Sequence, residues 1–246
     1  MYPYFYQSPG LTIGSYGLLL AIAYLVGRWY FLTQLNKSAP EIKHSEMLII
    51  MLLIFGVIGA KVMFILKNPE KSELLLSGTG FSSQGAILGA LIATYLFTFY
   101  QKVKLYKILD SAAPAAILAY AIARIGCFLS GDDCHGMPSD LPWAMSFPEG
   151  IEQTLTKVHP VPLYEVIYSF IIFALLLIRQ KSKTKPFSQF FMLLGLWGIC
   201  RFMVEFVSAN PKLIFFMSGS QFGALIMAIS ALIYFFLSYK KQNHAT

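Results

Sequence analysis

Residues 45–66 read "SEMLIIMLLIFGVIGAKVMFIL", and from Met47 to Leu66 the only charge is Lys61. At 1.5 Å per residue a helix of this length reaches about 30 Å, the thickness of a bilayer's hydrocarbon core. The rest of the chain repeats the pattern. Of its 246 residues 57% are hydrophobic and only 13% charged, whereas a soluble domain carries roughly a quarter charged residues. Apolar runs recur at 11–32, 45–66, 83–100, 112–129, 163–180, 187–207 and 219–239. Helices satisfy every backbone group within lipid without a closed sheet. The expected class is therefore all-α: a polytopic membrane protein of seven transmembrane helices forming a single domain over 1–246.

The N-terminal "MYPYFYQSPG" has no Lys or Arg, so no basic start of a cleaved signal peptide is expected. Loop cations set the orientation. The first, third and fifth loops and the C-terminus, with the adjoining helix ends, hold Arg28, Lys37, Lys43, Lys102, Lys104, Lys107, Arg179, Lys181, Lys183, Lys185, Lys240 and Lys241. The opposite side holds Lys67, Lys71, Lys157 and Lys212. The excess places the C-terminus in the cytoplasm and the N-terminus outside. The net charge of +7 is then a cytoplasmic collar facing anionic lipid, with no call for nucleic acid.

Three cations fall deeper in apolar runs: Lys61, Arg124 and Arg201. A charge at the centre of a spanning helix costs about 2.5–3.5 kcal/mol on insertion scales, so each needs a partner or a purpose. Arg124 lies six residues before Ser130 and Arg201 seven before Ser208, placing both roughly 9–11 Å from the outer helix ends. Lys61 and Tyr16 enter at similar depth, Glu165 opens the fifth helix, and Glu205 follows Arg201 by one turn. Snorkelling would account for Lys61 and an i, i+4 pair for Arg201. The layer as a whole suggests a site for an anionic lipid head group. Between helices four and five the outer loop, 130–162, contains "SGDDCHGMPSDLPWAMSFPEG". Its length marks it as functional, and Asp132, Asp133, His135 and His159 are proton-transfer candidates. Asp132, Asp133, Cys134, His135 and His159 include metal-ligand types, but their spacing matches no recognised zinc pattern. No metal and no cofactor are expected. Cys127 and Cys200 fall in helices and read as buried, inert thiols.

Several segments resemble the prolipoprotein diacylglyceryl transferases, bacterial inner-membrane enzymes. "RIGCFLSGDDCHG" (124–136) is similar to their signature R-x-G-N-F-x-N-x-E-x-x-G, and "HPVPLYE" (159–165) to H-P-x-Q-L-Y-E. "RFMVEF" (201–206), "DSAAPA" (110–115) and "SYGLLLAI" (15–22) match further runs, with weaker echoes in "GAKVMFIL" (59–66) and "SSQGAILGA" (82–90). The resemblance implies diacylglyceryl transfer from phosphatidylglycerol to the lipobox cysteine of a prolipoprotein signal peptide. A thioether forms and glycerol phosphate leaves, at a site facing the periplasm or outer leaflet. By motif position Arg124 and Arg201 would hold the phosphate, with Asp132 and His159 as further catalytic candidates. Tyr16, Lys61, Gln84, Gly85, Gly126, Cys127, Tyr164, Glu165 and Glu205 would bind substrate. The chain departs from the pattern where Gln84 replaces a histidine, Cys127 and Ser130 replace asparagines, Pro162 replaces a glutamine and Trp197 a tyrosine. Glutamine hydrogen-bonds but does not titrate, so a base would have to come from Asp132, Asp133, His135 or His159. An altered or inactive relative that binds anionic phospholipid or lipoprotein is the alternative. A transporter, with midplane polar groups and paired broken helices, is disfavoured.

Overall fold

A computed structural model of the chain describes residues 2–8, 10–42, 44–76, 80–132, 134–181, 185–212 and 217–243. Asp133, Lys43 and Lys183, singled out above, lie outside the described residues. Among these residues are seven α-helices: α1 Ser15–Ser38, α2 Ser45–Lys67, α3 Ser83–Gln101, α4 Leu105–Ser130, α5 Val161–Gln180, α6 Ser188–Val204 and α7 Gly219–Asn243. Each falls on one of the seven apolar runs. By length and composition α1, α2, α4, α5 and α7 can cross a membrane, whereas α6 has only 17 residues. Large apolar side chains such as Ile54, Phe99, Leu232 and Phe236 point outward, as a lipid-facing surface requires.

The structure is mostly helical, consistent with an all-α polytopic membrane protein, with two short hairpins besides the helices. Residues 11–14, expected in the first span, form a hairpin with the aromatic run before them, β1 (Tyr4–Ser8) with β2 (Leu11–Gly14). Aromatic side chains favour the pleated backbone, and Gly10 takes the positive φ of 96° in the turn. A second hairpin, β3 (Met145–Phe147) with β4 (Thr154–Val158), builds the outer loop. Helix α6 ends at Val204 instead of continuing to 207. Beyond it Gly136 bridges Ser208, and Met137 N–H donates to the Val207 carbonyl at 2.9 Å. That pairing draws the segment out of the helix, so Arg201 sits in its last turn, nearer the end than sequence spacing suggests.

The chain packs as two units, residues 1–31 with 112–246, and residues 32–111. In the first, Ala113 and Ile117 of α4 meet Tyr168, Ile172 and Leu176 of α5, with Leu193, Leu196 and Trp197 of α6 against them. In the second, α2 and α3 approach through small residues. A Cβ on Gly85 would lie 2.8 Å from the Gly59 carbonyl carbon, and one on Gly59 would lie 3.1 Å from Gly89 Cα. Gly85 and Gly89 thus form the small-xxx-small face that lets two apolar helices touch.

Candidate active site

Tyr120, Arg124 and Cys127 lie on one face of α4 at i, i+4 and i+7. Across from them α5 presents Glu165, and α6 ends with Arg201 and Glu205. Together they form a chain of alternating charge. Arg124 Nε lies 2.6 Å from Glu165 Oε2, and Arg201 Nη1 grips the other carboxylate oxygen. Arg201 Nη2 lies 2.7 Å from Glu205 Oε2. Tyr120 donates its hydroxyl to Glu165 Oε1 at 3.0 Å, and its ring lies 5.0 Å from the Arg124 guanidinium. Ser218 Oγ and Asn210 Nδ2 each donate to Glu205 Oε1 at 2.7 Å. Both carboxylates are fully buried, while Arg124 keeps 21% of its side chain exposed and Arg201 11%. Two cations and two anions cancel, which is how such a cluster survives away from water. The Arg124 partner missing from its own helix is thus Glu165, on the next.

The free side of Arg124 faces sulfur. Its Nη1 donates to Cys134 Sγ at 3.3 Å and to Cys127 Sγ at 3.6 Å. Helix α4 stops at Ser130, where Gly131 turns the chain with φ 59°, the left-handed conformation that commonly ends a helix. The loop then folds back: Cys134 N–H donates to Asp132 Oδ1 at 3.2 Å. The sulfurs of Cys127 and Cys134 and a carboxylate oxygen of Asp132 all lie within 4.8 Å of one another. The Cys134 thiol is held below its ordinary pKa, first by the hydrogen bond with Cys127, then by Arg124, against the effect of burial. Tyr16 interacts electrostatically with Cys127, Asp132, Arg124 and Cys134. Gly126 admits α1: a Cβ there would meet Leu19 Cβ at 3.2 Å and Tyr16 Cα at 3.4 Å.

The first unit therefore brings together Arg124, Arg201, Glu165, Glu205, Cys127, Asp132 and Tyr16. His159 and Tyr164 form a separate string, His159 Nδ1 to Tyr164 OH at 3.1 Å and Trp143 Nε1 donating to that hydroxyl at 2.7 Å. His135 also belongs to the first unit, its ring 5.7 Å from that of Phe147, whereas Lys61, Gln84 and Gly85 belong to the second. Lys61 is buried, bonds the Leu74 carbonyl at 2.9 Å and sits 4.2 Å over the Phe81 ring. Gln84 accepts a hydrogen bond from Lys67, and Gly85 is a packing residue. Sequence reasoning missed Tyr120, one turn before Arg124, as well as Asn210 and Ser218. Trp197, at a departure from the family pattern, stands edge-on to the Tyr120 ring with centroids 5.9 Å apart.

The profile of the family described as Prolipoprotein diacylglyceryl transferase matches residues 3–237. Among curated proteins, the phosphatidylglycerol–prolipoprotein diacylglyceryl transferase of Clostridium tetani is 29% identical over 252 residues, covering 98% of this chain and 100% of that protein. The enzyme of the same name from Finegoldia magna is 30% identical over 242 residues, 95% of this chain and 94% of that one. That from Bordetella avium is 30% identical over 251 residues, with 95% and 93% covered. With a match running almost end to end, the chain belongs to the prolipoprotein diacylglyceryl transferase family.

Proposed function

We propose that this protein transfers the diacylglyceryl group of phosphatidylglycerol to the lipobox cysteine of a prolipoprotein. The acceptor sulfur attacks the glycerol carbon that bears the phosphate. A carbon–sulfur bond forms, the carbon–oxygen bond breaks, and its electron pair leaves with glycerol phosphate. One observation carries this reading: Arg124 and Arg201 grip the two oxygens of the single buried carboxylate of Glu165.

Each guanidinium has five N–H donors, so both retain donors for a phosphate after meeting their carboxylates. As charge gathers on the departing phosphate, these donors stand fixed and need no reorganisation. In other enzymes one such donor is worth about 2.7–4 kcal/mol of transition-state stabilisation. The cluster is neutral before lipid arrives, so orientation rather than net positive charge does the selecting.

In the same reading all seven helices span the bacterial inner membrane as one domain, with the N-terminus and loop 130–162 outside and the C-terminus cytoplasmic. The loop cations support that orientation. Tyr16, packed against Gly126 where α1 meets α4, and Gly126 itself would contact the bound lipid. Purified protein incubated with phosphatidylglycerol and a lipobox peptide should yield a peptide heavier by one diacylglyceryl group, as read by mass spectrometry. An unmodified peptide, with the lipid intact, would refute the reading.

A further inference from the structure

We propose that Cys127, Asp132 and Cys134 form a zinc site whose fourth position takes the acceptor thiol, an inference that rests on the transferase reading above. The three ligand atoms already lie within 4.8 Å of one another. In a tetrahedral site with zinc–sulfur distances of about 2.3 Å the two sulfurs stand roughly 3.8 Å apart. Closing the present cluster onto a metal is thus a matter of about 1 Å or less at side chains beside the Gly131 turn.

Charge favours the exchange. When Zn²⁺ enters, the two thiol protons leave for solvent and the site's net charge does not change. Two thiolates suit a soft or borderline d¹⁰ cation better than magnesium or calcium. The N–H contacts from Arg124 to both sulfurs supply the outer hydrogen bonds that fix metal ligands and spread thiolate charge. Arg124 is held in turn by Glu165, so the ligand shell is braced from the catalytic cluster itself.

Among the described residues the site has three protein ligands and an open position, the pattern of a catalytic rather than a structural zinc site. A thiol that coordinates zinc is deprotonated outright. The acceptor cysteine would bind as R–S⁻, its proton passing to water, and then attack the glycerol carbon while the phosphate leaves. No side-chain base is needed, which accounts for a glutamine at position 84. It also places the nucleophile on one side of Arg124 and the phosphate within reach of the other.

Cobalt gives a test that does not depend on activity. Full-length protein in detergent, stripped with a chelator, should on adding Co²⁺ show a near-ultraviolet thiolate-to-cobalt charge-transfer band that Zn²⁺ abolishes. Cys127→Ser and Cys134→Ser should each weaken it, and a lipobox peptide should shift the visible bands while its serine analogue does not. In the unmutated protein Zn²⁺ should also shield both thiols from iodoacetamide, which keeps the test valid if the variants fold poorly. No charge-transfer band, a band that survives both substitutions, or one indifferent to the peptide overturns the proposal. Zinc-free protein should turn over at least about 10²-fold more slowly, the scale of losing a proton-transfer group. Full-rate thioether formation without zinc would overturn the zinc site and leave the transferase standing. A peptide-responsive cobalt band with no thioether product would do the reverse.

Discussion

Glu165→Gln is the substitution to which the structure assigns the largest cost. The carboxylate is fully buried and holds both arginines, one on each oxygen, besides the Tyr120 hydroxyl. An amide keeps one acceptor and turns the other position into a donor. One guanidinium would then face an N–H₂ group, donor against donor, with nearby charge relief left only at Glu205. Removing one partner of a buried ion pair costs about 3–5 kcal/mol, and here one partner serves two cations, so the upper end is expected. At roughly 2–4 °C per kcal/mol for a chain of this size, the melting temperature should fall by on the order of 10–20 °C. Differential scanning calorimetry in detergent measures it. Adding Arg124→Met to Glu165→Gln removes the stranded cation and should recover about 0.5–3 kcal/mol. A single-variant drop below about 2 °C, less than 1 kcal/mol on the same scale, would refute the buried bridge.

If a metal-bound thiolate is the nucleophile, His159→Gln should change the chemical step by less than about tenfold, its ring being bonded to Tyr164; a loss of about 10²–10⁴-fold in single-turnover rates would restore the loop base. Gly85→Val should destabilise the α2–α3 pair by about 1–3 kcal/mol by overpacking it, visible as a lower midpoint in thermal unfolding. Lys61→Met should cost about 1.5–3 kcal/mol by removing the hydrogen bond that its ammonium donates to the Leu74 carbonyl, with lipid turnover in the surviving folded protein close to parental.

Much of the helical frame was legible because lipid leaves few options: an apolar run of bilayer length folds as a helix. Residues 11–14 of the N-terminal hairpin escaped because "LTIG" runs into the apolar stretch without a break, and their pairing with Tyr4–Ser8 is not written in either segment alone. Arg201 was placed too deep for a different reason. Its helix is ended by Met137 and Gly136 pairing with residues 207–208, a contact across some 70 residues that no local pattern encodes. In the site, Arg201 with Glu205 could be read from i, i+4 spacing. Glu165, at the hub, could be placed in the polar layer from sequence but not paired with both arginines, because these lie 41 and 36 residues away. Lys61 and Gly85 share composition with binding residues, yet the structure ties the one to Leu74 and Phe81 and presses the other against Gly59. The approach of Cys127 to Cys134 depends on the chain reversing at Gly131, which sequence spacing leaves open.

The most direct measurement is the initial rate of thioether formation in phosphatidylglycerol vesicles for the parent, Arg124→Ala and Arg201→Ala, with correct insertion confirmed for each. If the two arginines hold the departing phosphate, each variant should lose about 10²–10³-fold in turnover, the scale of one lost oxyanion donor. Parental rates in both folded variants would contradict the assignment of the phosphate to the bridged arginine pair.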